Sequence, residues 1–202
     1  MSFWGVVVAA GAATRYGSPK QTAQLSDAPL WQWAQRALMA GGAAGVVLVG
    51  DVPNGVPGGE RRRDSVANGL ADVPADVEFI LVHDAARPLA SEALVRSIAI
   101  RLQQGDADGV VPVVPIRDTV KRVSGERVIE TVDRSELVMV QTPQGFTAEA
   151  LRKAHASVEG DAPDDAYLVE RAGGKVVSVP GEVSNLKITF PKDLVVAEGL
   201  LR

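Results

Sequence analysis

The sequence contains no cysteine among its 202 residues, so the fold has neither disulfides nor thiolate metal ligands. It also lacks an excess of basic residues: the net charge is -4, which argues against a nucleic-acid partner. Long hydrophobic runs are missing as well, since the longest are strand-sized and a bilayer span needs roughly 20 apolar residues. No basic n-region or cleavage site opens the chain. We therefore expect a cytoplasmic protein whose partners are small molecules, with no nucleic acid and no membrane among them.

Short apolar runs indicate the fold class. They are rich in Val and Ile, as buried parallel strands are, and they cover residues 3–9, 46–49, 79–82, 110–114 and 176–179. Helical patterns lie between them, with start signals at Pro29, Ser91, Thr147 and Pro191. This alternation predicts one α/β domain over residues 1–202, with a mostly parallel sheet, helices on both faces, and ligands bound beyond the C-terminal strand ends.

One segment departs from this alternation. Residues 119–123 and 128–132 alternate between apolar and polar and flank a turn at 124–127, which predicts a β-hairpin. A two-stranded ribbon is only marginally stable alone in water, so it needs a second surface. We expect an arm at about 117–143 that contacts a second copy of the chain.

The stretch VVVAAGAATRYGSPKQ, residues 6–21, runs from an apolar strand into a loop of small residues. Small side chains let a phosphate approach the backbone N–H groups, while Arg15 and Lys20 add positive charge. The spacing matches neither common phosphate motif. A Walker loop would have lysine in place of Ser18, and a dinucleotide fingerprint would have glycine in place of Ala13. The loop therefore predicts a nucleoside triphosphate site.

The motif HDAARP follows the third predicted strand and brings Asp84 and Arg87 to the same sheet edge as this loop. Asp84 either holds magnesium, which accepts one or two carboxylates plus substrate phosphates, or caps the next turn. Arg87 either binds phosphate or pairs with a carboxylate. We interpret His83 as packing or loop support, because the two histidines are too far apart in sequence to indicate a metal set.

The run GGERRRDSVANGL, residues 58–70, joins a glycine pair to three arginines and a serine. Glycines let a base edge approach the backbone. For at least two of the arginines, Arg61, Arg62 and Arg63, the expectation is a solvated charge run. Ser65 either belongs to a site or caps the helix.

Charged residues in the C-terminal part complete the set. Lys187 is predicted inside a short strand, where a charge points either into a site or along an exposed edge. Asp164 and Asp165 are expected to cap a helix. Lys187 and the two cations of the first loop come from distant parts of the chain, and together they could surround a phosphate during phosphoryl or nucleotidyl transfer.

These motifs together resemble the 2-C-methyl-D-erythritol 4-phosphate cytidylyltransferase family of the non-mevalonate isoprenoid pathway. The resemblance covers nearly the whole chain and rests on six ordered motifs, AAGAATRYGSPKQ, GGERRRDSVANGL, VHDAARP, PIRDTVKRV, TVDRSELVMVQTPQGF and NLKITFPKDLVVAEGLL. It implies a Rossmann-like nucleotidyltransferase fold with a protruding β-arm, a homodimer, and the use of CTP with a divalent metal, normally magnesium. It also implies transfer of CMP from CTP to methylerythritol phosphate, which gives 4-diphosphocytidyl-2-C-methyl-D-erythritol and pyrophosphate.

The resemblance further implies roles for individual residues. The catalytic cations would be Arg15, Lys20 and Lys187, and Asp84 would hold the metal. The nucleotide would contact Ala9, Ala10, Gly11, Ala12, Gly58, Gly59, Arg62, Ser65 and Asp84. Methylerythritol phosphate would contact Thr119, Arg134 and Thr142, with Arg134 contributed by the arm of the neighbouring subunit.

Three positions depart from the family pattern. Ala13 replaces a glycine of the first loop, Pro163 stands where threonine is frequent, and Ser184 stands where some members carry an aspartate proposed as a metal ligand. Two alternatives stay open: a cytidylyltransferase for another polyol phosphate such as ribitol 5-phosphate, and a nucleotide-binding regulatory protein without turnover. The presence of Lys20, Asp84 and Lys187 argues against the second.

Overall fold

The computed structural model describes residues 2–11 and 23–201. Its helices are α1 Leu30–Ala40, α2 Arg62–Ala71, α3 Glu92–Leu102, α4 Ala148–Ser157, α5 Asp165–Arg171 and α6 Pro191–Leu200. Its strands are β1 Phe3–Val8, β2 Gln24–Leu25, β3 Ala28–Pro29, β4 Ala43–Val49, β5 Phe79–Asp84, β6 Gly109–Pro115, β7 Val120–Ser124, β8 Arg127–Val132, β9 Val138–Val140, β10 Gln144–Thr147 and β11 Val176–Pro180. Each predicted apolar run coincides with a strand, except that the first extends one residue past β1 to Ala9, and each predicted start signal stands at the beginning of a helix.

The central sheet, counted over the described residues, has seven strands in the order β11-β6-β10-β5-β1-β4, with β9 paired to β6. The prediction of a mostly parallel sheet is confirmed, but β10 is inserted antiparallel to both β5 and β6. The sequence did not predict β10 because its four residues, QGFT, contain no Val or Ile run. Burial of Phe146 between the neighbouring strands stabilises this short strand instead.

Helices cover both faces of the sheet, as predicted. Consecutive residues of a strand point to opposite faces, so Val6 and Val7 of β1 belong to different apolar clusters. α1 and α3 pack on the face of Val7, where Leu38 and Ile98 are buried. α2, α4 and α5 pack on the face of Val6, where Leu151 is buried. In the part of the chain that the structure describes, no helix has the length and apolarity needed to reach across a bilayer.

Side-chain caps determine where two of these helices begin. Ser91 Oγ accepts a hydrogen bond from the Leu94 N–H at 3.0 Å, and Thr147 Oγ1 accepts one from the Ala150 N–H at 3.3 Å. Each such cap contributes about 1 kcal/mol. Pro191 occupies the first turn of α6, where a backbone N–H would have no partner within the helix, so the lack of an N–H in proline costs no hydrogen bond.

The predicted hairpin is confirmed with boundaries shifted by one residue. β7 and β8 form a separate two-stranded antiparallel sheet around a turn at Gly125, whose φ of 57° suits glycine. Nearly all of its residues are exposed, including Val123, Val128 and Ile129. The arm therefore presents apolar side chains to solvent in the single chain.

Candidate active site

The central sheet has a switch point between β1 and β5. β4 lies on one side of β1 and β5 on the other, so a crevice opens at the C-terminal ends of these parallel strands. Val8 at the end of β1 pairs with Val49 and with Asp84, and the Ala85 N–H donates to the Val8 carbonyl at 3.0 Å. The start of the first loop and the HDAARP motif therefore meet at this edge, as predicted.

Asp84 is the centre of a charged cluster in the crevice. Its Oδ2 accepts a hydrogen bond from Lys187 Nζ at 2.7 Å, and its Oδ1 accepts from Arg62 Nε and Nη2, both at 3.2 Å. Burial alone would raise the pKa of Asp84, but the positive charges of Arg62 and Lys187 outweigh it and hold that pKa well below its usual range. Asp84 is therefore an ionised carboxylate shared by two cations at neutral pH.

Lys187 reaches this cluster from an irregular segment, so the prediction of a strand around it is wrong. The Ile188 N–H donates to the Ala86 carbonyl at 2.7 Å, and the Ile188 side chain is buried in one cluster with Leu30 and Ala197. These two anchors fix the segment without a strand ladder. The Lys187 side chain is 43% exposed and points into the crevice, where its ammonium is open to a ligand.

The three consecutive arginines have different surroundings, and the prediction that at least two of them form a solvated run is wrong. Arg61 is exposed and pairs with Asp64. Arg62 turns into the site, while Arg63 is buried and donates to the backbone carbonyls of His155 and Gly160. These acceptors lie far along the chain from Arg63, so no local pattern could have indicated them.

The two aspartates at the start of α5 also differ. Asp164 caps the helix, since its Oδ1 accepts from the Tyr167 N–H at 2.9 Å. Asp165 does not: it is fully buried, and its oxygens accept from Arg62 Nη1 at 2.8 Å and face His155 Nε2 at 2.9 Å. Sequence reasoning missed Asp165 and His155 as part of the site.

Small residues line the crevice beside the charged cluster. A Cβ atom on Gly58 would lie 2.5 Å from the Cβ of Ala10 and 3.5 Å from Ser65 Oγ, so these three residues are in close contact. The Gly59 N–H donates to Ser65 Oγ at 3.0 Å. Ser65 thus orients the glycine loop, Gly58 and Gly59, and its interpretation as a helix cap is wrong because Arg61 is the residue that precedes α2.

The first loop is described only at its beginning. Ala9 is buried and its N–H donates to the Val49 carbonyl at 2.7 Å, Ala10 is half-buried, and Gly11 has a φ of 145°. Ala12, Ala13, Arg15 and Lys20 lie in residues 12–22, outside the described residues, so their predicted roles stay predictions.

Thr142 lies underneath Asp84. Its Oγ1 accepts from the Asp84 N–H at 3.0 Å and is 2.9 Å from His83 Nδ1, and both side chains are buried. Burial lowers the pKa of His83 to about 4, so the imidazole is neutral. His83 supports the loop, as expected, and the Thr142 hydroxyl holds the Asp84 backbone.

Thr119 and Arg134 lie at the base of the arm. Thr119 is exposed directly before β7, and Arg134 follows β8. The Arg134 guanidinium donates to the carbonyls of Ile116 and Asp118 at 3.0 and 3.1 Å and also contacts that of Arg117. The hydrogen bonds of Arg134 in the single chain therefore lie within the arm base.

Arg87 contacts backbone carbonyls rather than a carboxylate within the described chain. Its Nη1 donates to the Asn185 carbonyl at 2.8 Å and its Nη2 to the Val140 carbonyl at 3.4 Å. Burial lowers the pKa of Arg87 below its ordinary value, and the nearby charge of Asp84 offsets part of that effect. Its contacts join the Asp84 loop to the segment that carries Lys187.

Asp84 is the described residue best suited to a divalent cation. Across residues 2–11 and 23–201, no three histidine, aspartate or glutamate side chains converge on one point. Magnesium, however, needs only one or two protein carboxylates when a triphosphate and water supply the other ligands. The ionised oxygens of Asp84 fit that requirement.

Comparisons with known proteins point to one family. Residues 4–202 match the family model of 2-C-methyl-D-erythritol 4-phosphate cytidylyltransferase. The enzyme of that name from Saccharopolyspora erythraea is 42% identical over 224 residues, covering 100% of both chains. The bifunctional enzyme IspD/IspF of Solidesulfovibrio magneticus is 41% identical over 96% of this chain, which spans only 56% of that relative's length.

Solved structures give the same result for the fold. The crystal structure of 2-C-methyl-D-erythritol 4-phosphate cytidylyltransferase from Thermus thermophilus superposes with a TM-score of 0.81, at 35% identity and with 98% of each chain covered. The family model, the sequence similarity and the structural superposition thus agree over nearly the full chain. The chain belongs to the 2-C-methyl-D-erythritol 4-phosphate cytidylyltransferase family.

Proposed function

We propose that this protein transfers CMP from CTP to 2-C-methyl-D-erythritol 4-phosphate, giving 4-diphosphocytidyl-2-C-methyl-D-erythritol and pyrophosphate. The observation that carries the proposal is the cluster of Asp84, Lys187 and Arg62 at the strand switch point, in a chain that belongs to this family. Both substrates are phosphorylated and water-soluble, which suits a cytoplasmic enzyme.

The reaction needs positioned charge more than covalent chemistry. An oxygen of the 4-phosphate attacks the α-phosphorus of CTP, the bond from that phosphorus to the bridging oxygen of the β-phosphate breaks, and pyrophosphate leaves. Negative charge accumulates on the non-bridging oxygens, and Lys187 Nζ, which contacts Asp84 in the crevice, would donate hydrogen bonds to them. Arg15 and Lys20 would neutralise the triphosphate from the first loop.

The glycine loop is the proposed cytidine pocket. Gly58 and Ala10 leave no room for larger side chains between them, and Ser65 holds the Gly59 N–H. Backbone groups at such a site can distinguish cytosine from uracil by its exocyclic amine and can exclude a purine by size. The start of the first loop, Ala9 to Gly11, would face the phosphates.

Magnesium is the proposed cofactor, with Asp84 as its protein ligand. When bound, the cation supplies positive charge to the triphosphate and the departing pyrophosphate. Asp84 would hold the cation through the carboxylate oxygens that accept from Lys187 and Arg62 in the free protein. Since Asp84 is one carboxylate, we expect magnesium to bind together with the nucleotide rather than before it.

A homodimer through the arm is also proposed. The arm exposes Val123, Val128 and Ile129, and the strand β9 next to it exposes further apolar residues. A second copy would bury these side chains. In that arrangement Thr119 and Arg134 would reach the acceptor phosphate in the partner's crevice, while Thr142 would act from below Asp84 in its own chain.

The direct test is pyrophosphate release by the purified protein with magnesium, CTP and methylerythritol phosphate, with ATP, GTP and UTP as controls. We expect release with CTP alone among the nucleotides. Release with ribitol 5-phosphate and none with methylerythritol phosphate would overturn the acceptor. Tight CTP binding without turnover on either acceptor would identify a regulatory protein.

A further inference from the structure

Arg62 joins two carboxylates that come from different layers of the fold. Its Nε and Nη2 edge contacts Asp84 at the end of β5, and its Nη1 contacts Asp165 at the start of α5. The guanidinium is planar and its donors are fixed relative to one another. Arg62 therefore cannot rotate toward or away from Asp84 without changing its bond to Asp165.

Asp165 makes no contribution to its own helix that would explain its burial. Both of its oxygens are engaged by side chains of other elements, Arg62 from α2 and His155 from α4, whereas Asp164 provides the helix cap. A buried carboxylate carries a large desolvation cost unless it is paired and hydrogen-bonded. Burial would raise the pKa of Asp165, but Arg62 and His155 outweigh it and the pKa lies below its ordinary value.

His155 holds the far side of Asp165. Its side chain is largely buried and its Nε2 lies 2.9 Å from Oδ1, and because an ionised carboxylate only accepts, the proton is on Nε2. The backbone of His155 is in turn fixed by Arg63, whose Nη2 donates to its carbonyl at 3.1 Å, while Nη1 donates to the Gly160 carbonyl at 2.6 Å. α2 and the α4–α5 connection are thus locked together at this point.

We propose that Asp165 and His155 form a positioning pair that orients Arg62, and through Arg62 the Asp84 carboxylate, for the nucleotidyl transfer. The inference rests on the proposed function and adds two residues that never contact substrate. Asp165 fixes the orientation of the Arg62 guanidinium. His155 holds Asp165 in place, so that Asp165 does not move with Arg62 when substrates bind in the crevice. Asp84 then keeps a fixed direction while Lys187 exchanges partners.

Two neighbouring substitutions separate positioning from stability. Asp165→Asn keeps the shape of the side chain but removes its charge, so we expect kcat/KM for CTP to fall roughly tenfold or more. Asp164→Ala is the control: it removes the side-chain cap of α5, so it lowers Tm while kcat and KM stay within about twofold. Equal kinetics in both variants, or a loss of activity that only follows Tm, would overturn the proposal.

The pathway through Arg62 has its own test. Arg62→Lys already removes the planar guanidinium that Asp165 orients. Adding Asp165→Asn to this variant should therefore lower kcat/KM for CTP by less than about twofold, whereas independent effects would multiply. His155→Gln retains a donor for Asp165 and should keep near-normal kcat, while His155→Leu should reproduce part of the Asp165→Asn loss. The positioning role would be contradicted if the effects of Arg62→Lys and Asp165→Asn on kcat/KM multiplied, or if the two His155 variants were equally active.

A readout without turnover distinguishes this inference from the proposed function. The Arg62 Nε–H signal in NMR spectra of the free protein should shift and broaden in Asp165→Asn and stay unchanged in Asp164→Ala. If the wild type released no pyrophosphate but this difference appeared, the proposed function would fail and the positioning pair would stand. An unchanged Arg62 signal in Asp165→Asn would refute the pair even in an active enzyme.

Discussion

Among single residues, Asp84 has the most demanding position, because one buried carboxylate serves both Arg62 and Lys187. The two cations differ in their ion pairs. Arg62 also pairs with Asp165, whereas Lys187 pairs with Asp84 alone among the acidic residues that the structure describes. A triphosphate offers the competing negative charge. Lys187 is therefore the member of the cluster that changes partner most readily.

This leads to a prediction for Lys187→Ala. The variant should keep CTP binding within a few-fold, because the glycine loop and Arg62 remain, but kcat should fall about a hundredfold or more with the loss of a donor to the developing charge. Steady-state kinetics and nucleotide titration measure the two effects. Lys192→Ala, an exposed residue of α6, is the control and should leave both unchanged. Near-normal turnover of Lys187→Ala would remove its transition-state role.

His83 predicts a pH dependence of stability. Its pKa is 6.5 in the unfolded chain and about 4 in the fold, because burial outweighs the neighbouring charge of Asp84. Above pH 6.5 the imidazole is neutral in both states; between pH 6.5 and 4 only the unfolded chain is protonated, so the free energy of unfolding falls as pH falls. The difference amounts to about 3 kcal/mol.

Urea unfolding of the wild type and of His83→Gln across this pH range isolates that contribution. The variant lacks the titrating group, so its free energy of unfolding should fall less steeply as the pH is lowered from 6.5 to 4. Parallel curves for the two proteins would show that His83 does not cause the acid sensitivity.

Gly58 predicts a steric effect on the nucleotide site. Gly58→Ala would place a methyl 2.5 Å from the Cβ of Ala10, so the start of the first loop must shift. We expect a destabilisation of about 1–3 kcal/mol and a KM for CTP raised roughly tenfold. Gly199→Ala in α6 meets nothing within 4 Å among the described residues and should change neither KM nor kcat. An unchanged KM in Gly58→Ala would place the nucleotide elsewhere.

At the scale of elements, a helix or strand could be predicted from the sequence when the contacts that stabilise it lie within its own segment of the chain. β1 and β5 are continuous apolar runs, and α3 and α4 carry their own caps, so a short window of sequence contains what each needs. β10 has no such pattern, since its stability comes from the two strands on either side. The Lys187 segment is irregular, and its order comes from contacts with α6 and the HDAARP turn.

The same distinction applies to the site. Asp84 was predictable because its motif follows a buried strand, and Lys187 because a charge within a mostly apolar segment indicates a site. Arg63, His155 and Asp165 were not, because each depends on a partner that only the tertiary fold brings near: 103 positions separate Arg62 from Asp165. From the sequence alone, a charged residue whose partner is distant along the chain cannot be distinguished from a solvent-exposed one.

At the scale of the whole molecule, the proposed dimer predicts complementation. Arg134→Ala and Lys187→Ala should each be inactive, but a mixed dimer would combine an intact Lys187 from one chain with an intact Arg134 from the other. Random mixing should restore about a quarter of wild-type activity, because half of the dimers are mixed and each has one complete site. Pyrophosphate release after refolding the two chains together measures it. Silent mixed dimers would assign Arg134 to the crevice of its own chain.

The antiparallel strand β10 also has a consequence for synthesis of the chain. β5 and β6 are not neighbours in the sheet: residues 144–147, made after both, must enter between them. A nascent chain that stops before this point carries two unpaired strand edges facing each other, which are sites for pairing with other chains. Productive folding on the ribosome must therefore wait until about three quarters of the protein has emerged, and truncation within the arm should give aggregates rather than a half-sheet.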